Sequence, residues 1–182
     1  MSKTVKISKT LEPFKKSLSI EGDKSISIRW ALLASQANGK SRSYNLLNSE
    51  DVNNTLKCLK KLGIKIKSTK KFCEIFGVGL NGFKYKKSLS LNAGNSGTLG
   101  RLIMGLLVHC KDSIILRGDK SLSRRDFLRI TKPLERFGAK FKTNSGKLPI
   151  SIKGTNDPSP INYNEKRGSA QCKSAVMLAA LN

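Results

Sequence analysis

Three short segments of the chain combine small residues with cations and stand directly before apolar runs. They are residues 22–29, 94–101 and 166–171. An apolar run of this kind favours a helix, and a helix start presents free backbone N–H groups and the positive end of the helix dipole. Small side chains let an anion approach that backbone, and a nearby Lys or Arg adds a full charge. The three segments therefore indicate binding of small anionic substrates.

The three segments recur at a fixed spacing. Ser25, Gly97 and Ser169 follow one another at intervals of 72 residues. A repeat of this period predicts structural units of one kind. We interpret the chain as three such units, each with the outline turn, helix, strand, helix and strand. If the units pack about a pseudo-threefold axis, their helix starts converge on one side. Each marker residue is followed four positions later by a cation: Arg29, Arg101 and Lys173.

Local patterns predict the elements that would position these segments. Residues 5–20 alternate weakly and predict one or two short strands. Gly63 and Gly138 are expected to end two amphipathic helices, the second of which contains Pro133 and can be kinked there. The third unit holds only its turn and first helix, so we expect it to be truncated. The other predicted elements are apolar helices at 30–37, 102–108 and 175–181, amphipathic helices at 49–62 and 126–137, and strands at 64–67, 113–117 and 139–142.

The composition adds a strong electrostatic constraint. The 182 residues include 35 Lys or Arg and 12 Asp or Glu, for a formal net charge of +23. Such a charge predicts anionic partners, and nucleic-acid binding is the plainest alternative. However, the Lys residues are spread along the whole chain and aromatic residues make up only 6%. No segment interleaves aromatic and basic side chains as base-stacking surfaces do, so small anionic substrates are favoured over a nucleic acid.

The cysteines and the hydropathy indicate a compartment. Cys58, Cys73, Cys110 and Cys172 lie far apart with no C-x-x-C pair, which predicts reduced, mostly buried thiols. No run of about 18 apolar residues occurs, so no transmembrane helix is predicted. The first residues also lack the apolar run of a secretory signal. We expect a cytoplasmic protein without a membrane partner.

Residues for covalent or metal chemistry are sparse. His109 is the only histidine and ends an apolar run, which favours a structural role. The sequence therefore gives no support to a Ser-His-Asp or Cys-His site. The scattered cysteines do not match the spacing of a zinc site, and no metal or cofactor is predicted.

Each candidate segment also has a plain structural interpretation. Lys24 and Arg29 could be solvated surface charges, with Ser25 as an ordinary N-cap. The glycines of 94–101 could serve tight helix packing; they do not form a Walker A loop, because no Gly-Lys-Ser/Thr follows at the required spacing. The segment 117–126 carries four cations and could be an exposed charged loop.

Five motifs occur in order along the chain, and together they are specific. They are G-D-K-S-x-S-x-R at 22–29, S-E-D at 49–51, G-N-S-G-T-x-x-R at 94–101, G-D-x-S-L-x-x-R at 118–125 and G-S-A-Q-x-K-S-A at 168–175. In this order they resemble the EPSP synthase family, the 3-phosphoshikimate 1-carboxyvinyltransferases. The resemblance covers essentially the whole chain, which is similar to the N-terminal portion of a family member and to somewhat less than half of its length.

The resemblance implies a fold. That fold is α/β (α+β), with βαβαββ-type units repeated about a pseudo-threefold axis, as in the enolpyruvyl transferase fold. The family has two similar domains that close over the substrates. Residues 1–20 are then a strand segment expected to pack with the C-terminal domain. Residues 21–182 are an N-terminal domain that is incomplete at its C-terminal end, and the full-length protein is expected to be a monomer.

The resemblance also implies an activity, the transfer of enolpyruvyl from phosphoenolpyruvate to the 5-hydroxyl of shikimate 3-phosphate with release of phosphate. This is a step of the shikimate pathway to chorismate and the aromatic amino acids. The family's acid and base residues lie in its C-terminal half, so we expect no catalytic residue here and no activity from this chain alone. The implied binding residues are Lys24, Gly97 and Arg125, chiefly for phosphoenolpyruvate, Ser25, Arg29 and Ser169 for shikimate 3-phosphate, and Gln171 between the two.

Three positions depart from the family pattern. Ile28 stands where His is usual, Glu21 where Pro is frequent, and Asp126 where Pro is usual. The change at Ile28 is expected to remove a polar neighbour of the site but none of the binding residues. The related UDP-N-acetylglucosamine enolpyruvyl transferases share the repeat architecture. Their Lys-Asn opening and loop cysteine are absent here, so they are a weaker alternative, beside nucleic-acid binding.

Overall fold

The computed structural model describes residues 4–6, 8–10, 13 and 15–181. Within this described part the chain forms five α-helices and seven strands. The helices are α1 (Lys24–Gln36), α2 (Glu50–Lys61), α3 (Gly97–Leu107), α4 (Leu128–Glu135) and α5 (Ala170–Ala179). The strands are β1 (Asn38–Tyr44), β2 (Lys65–Ser68), β3 (Phe72–Val78), β4 (Leu89–Asn92), β5 (Ile114–Arg117), β6 (Lys140–Asn144) and β7 (Lys147–Lys153).

These strands form two sheets. The order β1-β3-β2 of the first sheet matches the order β5-β7-β6 in the second, which has β4 as an additional strand. The first is antiparallel in the order β1-β3-β2. The second has the order β4-β5-β7-β6, with β4 parallel to β5 and the other pairs antiparallel. The second unit runs β4-α3-β5-α4-β6-β7, which is the predicted βαβαββ series. The α/β class is confirmed and the common order supports a repeat of two units, while the threefold axis stays a prediction.

The predicted strands of residues 5–20 are absent from the part of that segment that the structure describes. Residues 15–20 form neither helix nor strand, and Leu18 and Ile20 are 80% and 76% exposed. A strand is stabilised by ladder hydrogen bonds to a neighbouring strand, and these residues form no such ladder. The strand prediction is wrong for these described residues. Packing of residues 1–20 with a second domain stays a prediction, and positions 1–3, 7, 11, 12 and 14 lie outside the described residues.

Capping residues define where α1, α3 and α5 begin, and they correct the repeat spacing. Asp23, Ser96 and Ser169 are the three N-caps, each with a side-chain oxygen that accepts an N–H three residues on. These caps lie 73 residues apart, not 72. Ser25 is therefore the second residue of its helix, Gly97 the first, and Ser169 a cap. The three positions were predicted to be equivalent, but they lie two, one and no residues after the N-caps of their helices.

The first unit differs from the prediction in three further places: the start of α1 and the strands β1 and β3, neither of which a local pattern had located. α1 begins at Lys24 rather than near Trp30, because the carboxylate of Asp23 caps it and lets polar residues form the first turns. The repeat outline includes a strand between α1 and α2, but no local pattern located β1, since its residues are polar and show no apolar alternation. β1 lies at one edge of its sheet and is mostly exposed. It is stabilised by pairing with β3, and not by burial of an apolar face.

Glycines end the two amphipathic helices as predicted. Gly63 and Gly138 follow α2 and α4 with φ of 89° and 102°, the left-handed conformation that a helix end favours for glycine. α4 is shorter than the predicted 126–137, and it holds Pro133 within its last turns. A proline removes one helical hydrogen bond, yet α4 continues past Pro133 to Glu135.

The core is centred on α3, where ten of the eleven residues are buried. α5 packs along it in parallel: the starts of the two helices meet where Gln171 Nε2 donates to Thr98 Oγ1, 3.0 Å away. Their ends meet where the ring Nε2 of His109 lies 2.8 Å from the carbonyl oxygen of Ala179. Since a carbonyl only accepts, this imidazole nitrogen is the donor. Parallel packing places two helix N-termini at the same end of the molecule.

We predict that Gly105→Ala destabilises the chain by roughly 1–3 kcal/mol, as overpacking of a core does. A Cβ at Gly105 would lie 2.2 Å from the carbonyl oxygen of Ala175 on α5, so the helices would have to separate. Gly100→Ala in the same helix is the matched control, because its Cβ would make ordinary contacts no shorter than 3.5 Å. Urea unfolding measures both. Equal stability of the two variants would contradict the close α3–α5 contact.

Candidate functional site

The start of α1 carries Lys24, which faces the start of α2. Lys24 Nζ lies 3.2 Å from Asp51 Oδ2, and the lysine side chain is 51% exposed. Asp51 lies in the first turn of α2, which Ser49 caps by accepting the N–H of Val52. An exposed ion pair of this kind contributes little to stability. Lys24 can therefore turn from Asp51 to a bound anion at small cost.

Arg29 joins α1 to α5. Its Nη2 donates to Ser174 Oγ and its Nη1 to the carbonyl oxygen of Ser25, both at 3.3 Å. These bonds hold the guanidinium beside the first turn of α1 and the second turn of α5. The neighbouring Ile28 is fully buried in the core. The expectation that Ile28 removes a polar neighbour of the site stays a prediction.

Gly97 begins α3, and its lack of a side chain makes room for two guanidinium groups. A Cβ at this position would lie 2.7 Å from Nη1 of Arg101 and 2.9 Å from Nη1 of Arg125. The cap of the helix is Ser96, whose Oγ accepts the N–H of Leu99 at 3.2 Å. Two cations thus flank the N–H groups at the start of the most buried helix, an arrangement that suits an anion.

Arg101 belongs to this cluster, although sequence reasoning did not name it as a binding residue. Its Nη1 donates to Gln171 Oε1 at 3.0 Å and to the carbonyl oxygen of Gly97 at 3.3 Å. The side chain therefore links the start of α3 to the start of α5. The one sequence signal was its spacing from Arg29, which marked a repeat position and not a ligand.

Burial and like charge lower the pKa of Arg101. Burial is the larger cause, and the guanidinium groups of Arg125 and Arg129 add repulsion. The guanidinium also lies over the ring of Phe127, 5.2 Å from its centre, where the ring face attracts a cation. Positive charge is thus gathered in a partly desolvated place, and a bound anion would relieve the repulsion.

Arg125 lies near the end of the segment 117–126, which is mostly exposed but is anchored by hydrogen bonds. Arg125 Nη2 donates to Asn95 Oδ1 at 3.4 Å, and Asn95 Nδ2 donates to Asp119 Oδ2 at 2.7 Å. Asp119 also accepts the N–H of Leu122 at 2.6 Å, which is the main cause of the lowered pKa of its carboxyl group. Asn95 and Asp119, which sequence reasoning did not single out, hold Arg125 at the start of α3.

Ser169 caps α5 and keeps a hydrogen-bond donor. Its Oγ accepts the N–H of Cys172 at 3.2 Å. This bond uses a lone pair of the hydroxyl, so the O–H remains a donor for an anion. Gly168 precedes the cap with φ of 67°, in the left-handed region that glycine adopts most readily.

The predicted binding residues are not all in contact with one another. Arg125 reaches the space beside Gly97, and Gln171 contacts α3 directly through Thr98 and Arg101. α1, with Ser25 and Arg29, is joined to this group through the bond from Arg29 to α5. Lys24 contacts α2 instead. The roles of all seven residues as substrate ligands stay predictions.

A model of the EPSP synthase family, described as EPSP synthase (3-phosphoshikimate 1-carboxyvinyltransferase), matches residues 8–182. The chain belongs to this family. The match covers every helix start of the candidate site. It confirms the resemblance carried by the five motifs, whereas neither alternative interpretation accounts for those motifs.

Individual relatives agree with the family. The chain is 46% identical over 164 residues to the 3-phosphoshikimate 1-carboxyvinyltransferase of Vesicomyosocius okutanii, covering 90% of this chain and 38% of the relative. It is 44% identical to that of Bradyrhizobium diazoefficiens, covering 89% of this chain and 35% of the relative. A solved EPSP synthase from Acinetobacter baumannii superposes with a TM-score of 0.85 at 37% identity, over 90% of this chain and 37% of the other. The chain therefore spans under half the length of these EPSP synthases.

The remaining reactive groups lie apart from the helix starts or are buried. All four cysteines are free and buried, as predicted, and burial raises the pKa of Cys58 and of Cys110 to about 11. His109 lies at the opposite end of α3. In the described part of the chain, no group of three His, Cys, Asp or Glu residues is placed to hold a metal ion. Nor does that part contain a helix with the length and hydropathy needed to span a membrane.

We predict that Gly97→Ala weakens binding of inorganic phosphate with little loss of stability. The added Cβ meets only the ends of two flexible arginine side chains, which can move away and leave the anion site. We expect a decrease in affinity of about tenfold, near 1.4 kcal/mol. Phosphate titration followed by calorimetry measures it, with Gly100→Ala as the control in the same helix. Unchanged affinity of Gly97→Ala would contradict a site at this helix start.

Proposed function

We propose that this chain supplies substrate-binding residues of a 3-phosphoshikimate 1-carboxyvinyltransferase. In that reaction the enolpyruvyl group of phosphoenolpyruvate passes to the 5-hydroxyl of shikimate 3-phosphate, and phosphate is released. The observation that carries the proposal is the pair of guanidinium groups, from Arg101 and Arg125, that meet in the space left by Gly97. Both substrates are anions, and family membership identifies the reaction class.

The two substrates occupy neighbouring parts of the site in this proposal. Phosphoenolpyruvate carries a phosphate and a carboxylate, and each group matches the two parallel donors of a guanidinium. It lies at the start of α3, while shikimate 3-phosphate lies between α1 and α5. The residues on the phosphoenolpyruvate side are Lys24, Gly97 and Arg125, those on the shikimate 3-phosphate side are Ser25, Arg29 and Ser169, and Gln171 lies between.

The proton-transfer groups lie outside residues 1–182 in this proposal. The reaction needs a proton added to the enolpyruvyl methylene and one removed from a hydroxyl. The carboxylates near the site include Asp51, Asp119, Asp126 and Glu165, and each is engaged in an ion pair or a hydrogen bond. We therefore expect the chain to bind substrates without converting them. A phosphate-release assay with both substrates measures this, and turnover at the rate of a full-length family enzyme would contradict it.

We further propose that the full-length enzyme acts in the cytoplasm, as a monomer, in the shikimate pathway. The four buried free thiols suit a reducing compartment. The monomer follows from the family resemblance. The high positive charge serves anionic substrates in this proposal, without a nucleic-acid or membrane partner.

We predict that Arg29→Gln weakens binding of shikimate 3-phosphate by about tenfold, because a charge-assisted hydrogen bond is lost. Lys65→Gln is the matched control, since it removes the same charge from an exposed position on β2. We expect the control to change the affinity by less than about twofold, because screening by salt limits a distant surface charge. Calorimetric titration at low ionic strength measures both variants.

Two results would contradict the proposed function. Equal losses of affinity in Arg29→Gln and Lys65→Gln would indicate general attraction to the positive surface. Binding of single-stranded DNA that is tighter than binding of shikimate 3-phosphate, and that weakens steeply with salt, would favour the nucleic-acid alternative.

A further inference from the structure

Glu165 lies in the connection between β7 and α5, and its carboxylate is almost completely enclosed. Its side chain is 7% exposed. Oε1 lies 3.0 Å from Arg129 Nη2 and accepts the backbone N–H of Arg167 at 3.0 Å. The hydroxyl of Tyr163 donates to Oε2. One carboxylate thus joins a side chain of α4 to two points of the segment that precedes α5.

These contacts end two residues before the cap of α5. Arg167, whose N–H is held by Glu165, is followed by Gly168 and then by Ser169. The position of Ser169, the cap of α5, therefore depends on where the carboxylate of Glu165 holds the backbone N–H of Arg167. Gln171 follows in the first turn and contacts α3. α4 also packs directly against α5, and Glu165 adds a polar link from α4 to the segment that positions the cap.

Glu165 also balances charge at the edge of the guanidinium cluster. Arg129, its partner, is one of the two arginines that repel Arg101. The pKa of Glu165 is lowered to about 2, first by the hydrogen bond from Tyr163, then by the N–H of Arg167 and by Arg129. The carboxylate is therefore ionised at neutral pH. The ion pair with Glu165 therefore places a negative charge beside Arg129.

We propose that Glu165 is a positioning residue for substrate binding. It touches no substrate, and it acts through Arg129 and the N–H of Arg167 to place Ser169 and Gln171. This inference rests on the proposed function, because it assigns those two residues to the substrate site. Its structural part, the placement of the start of α5, can be measured without any ligand.

The experiment compares variants of the full chain that break ion pairs of matched exposure. Glu165→Ala removes the link. Glu165→Gln keeps an oxygen that can accept from Arg129 and from the N–H of Arg167, and its amide N–H can donate to the hydroxyl of Tyr163. Glu74→Ala is the control, because the Arg42–Glu74 pair on the first sheet has side-chain exposures of 41% and 6%, against 42% and 7% for Arg129–Glu165. Two quantities are measured for each variant: amide hydrogen exchange without ligand, and affinity for shikimate 3-phosphate.

We expect Glu165→Ala to speed amide exchange at Arg167 and Cys172 and to weaken shikimate 3-phosphate binding by about tenfold. In Glu165→Gln, the exchange rates and the affinity are expected to stay within about threefold of those of the unmodified chain, because the hydrogen-bond geometry persists. Glu74→Ala is expected to lower the melting temperature without changing either quantity. Arg129→Gln breaks the link from its other end and should repeat the exchange result, which keeps the test decisive if Glu165→Ala does not fold.

Three outcomes would overturn the inference. They are unchanged exchange at Arg167 and Cys172 in both link-breaking variants, loss of affinity in Glu165→Gln as large as in Glu165→Ala, and an equal loss of affinity in Glu74→Ala. Failure of the unmodified chain to bind shikimate 3-phosphate would instead contradict the proposed function. In that case the exchange measurement still decides whether Glu165 positions the start of α5.

Discussion

Positive groups repel one another at one end of the core, and the surrounding contacts of the structure must offset this repulsion. α3 and α5 run parallel, so their N-termini and dipoles lie side by side with the same sign. Arg101 lies between them, half-buried, and its pKa is lowered by burial and by Arg125 and Arg129. Bringing like charges together in a partly buried place lowers the stability of the fold. The loss is understandable if an anion completes the site, as the family's two anionic substrates would.

The surrounding contacts restrain these charges without filling the site. Counter-charges lie at its edge: Asp51 pairs with Lys24, and Glu165 pairs with Arg129. At the centre, the guanidinium groups meet amide and hydroxyl oxygens or open space. Glycine at position 97 keeps that space clear. The close contact of α3 with α5 allows one side chain to bridge both helix starts, so packing in the core and chemistry at the surface depend on the same helix pair.

Local patterns predicted the elements whose signals are carried by their own residues. The apolar run of α3 and the left-handed glycines after α2 and α4 are of this kind. Features that depend on distant partners were missed. β1 has a polar sequence and is stabilised by its pairing with β3. The described part of residues 5–20 forms no strand, because these residues make no ladder with a neighbouring strand. Glu165 carries no local signal, since its partner Arg129 is 36 residues away. The spacing of 72 located three helix starts but missed the capping register of 73, because caps are defined by geometry and not by residue type.

The central claim is that the first turns of α1, α3 and α5 form one anion site. The most direct test is an NMR titration of the isotopically labelled chain with shikimate 3-phosphate, followed at backbone amides. The account predicts that amides of residues 24–27 and 169–172 shift with a single affinity. Amides of 97–99 shift with the same affinity, because Gln171 links the start of α5 to Thr98 and Arg101 of α3, while the opposite ends of α3 and α5, near His109 and Ala179, do not shift. Shifts spread over the exposed lysines of the first sheet, or different affinities at the three helix starts, would contradict it.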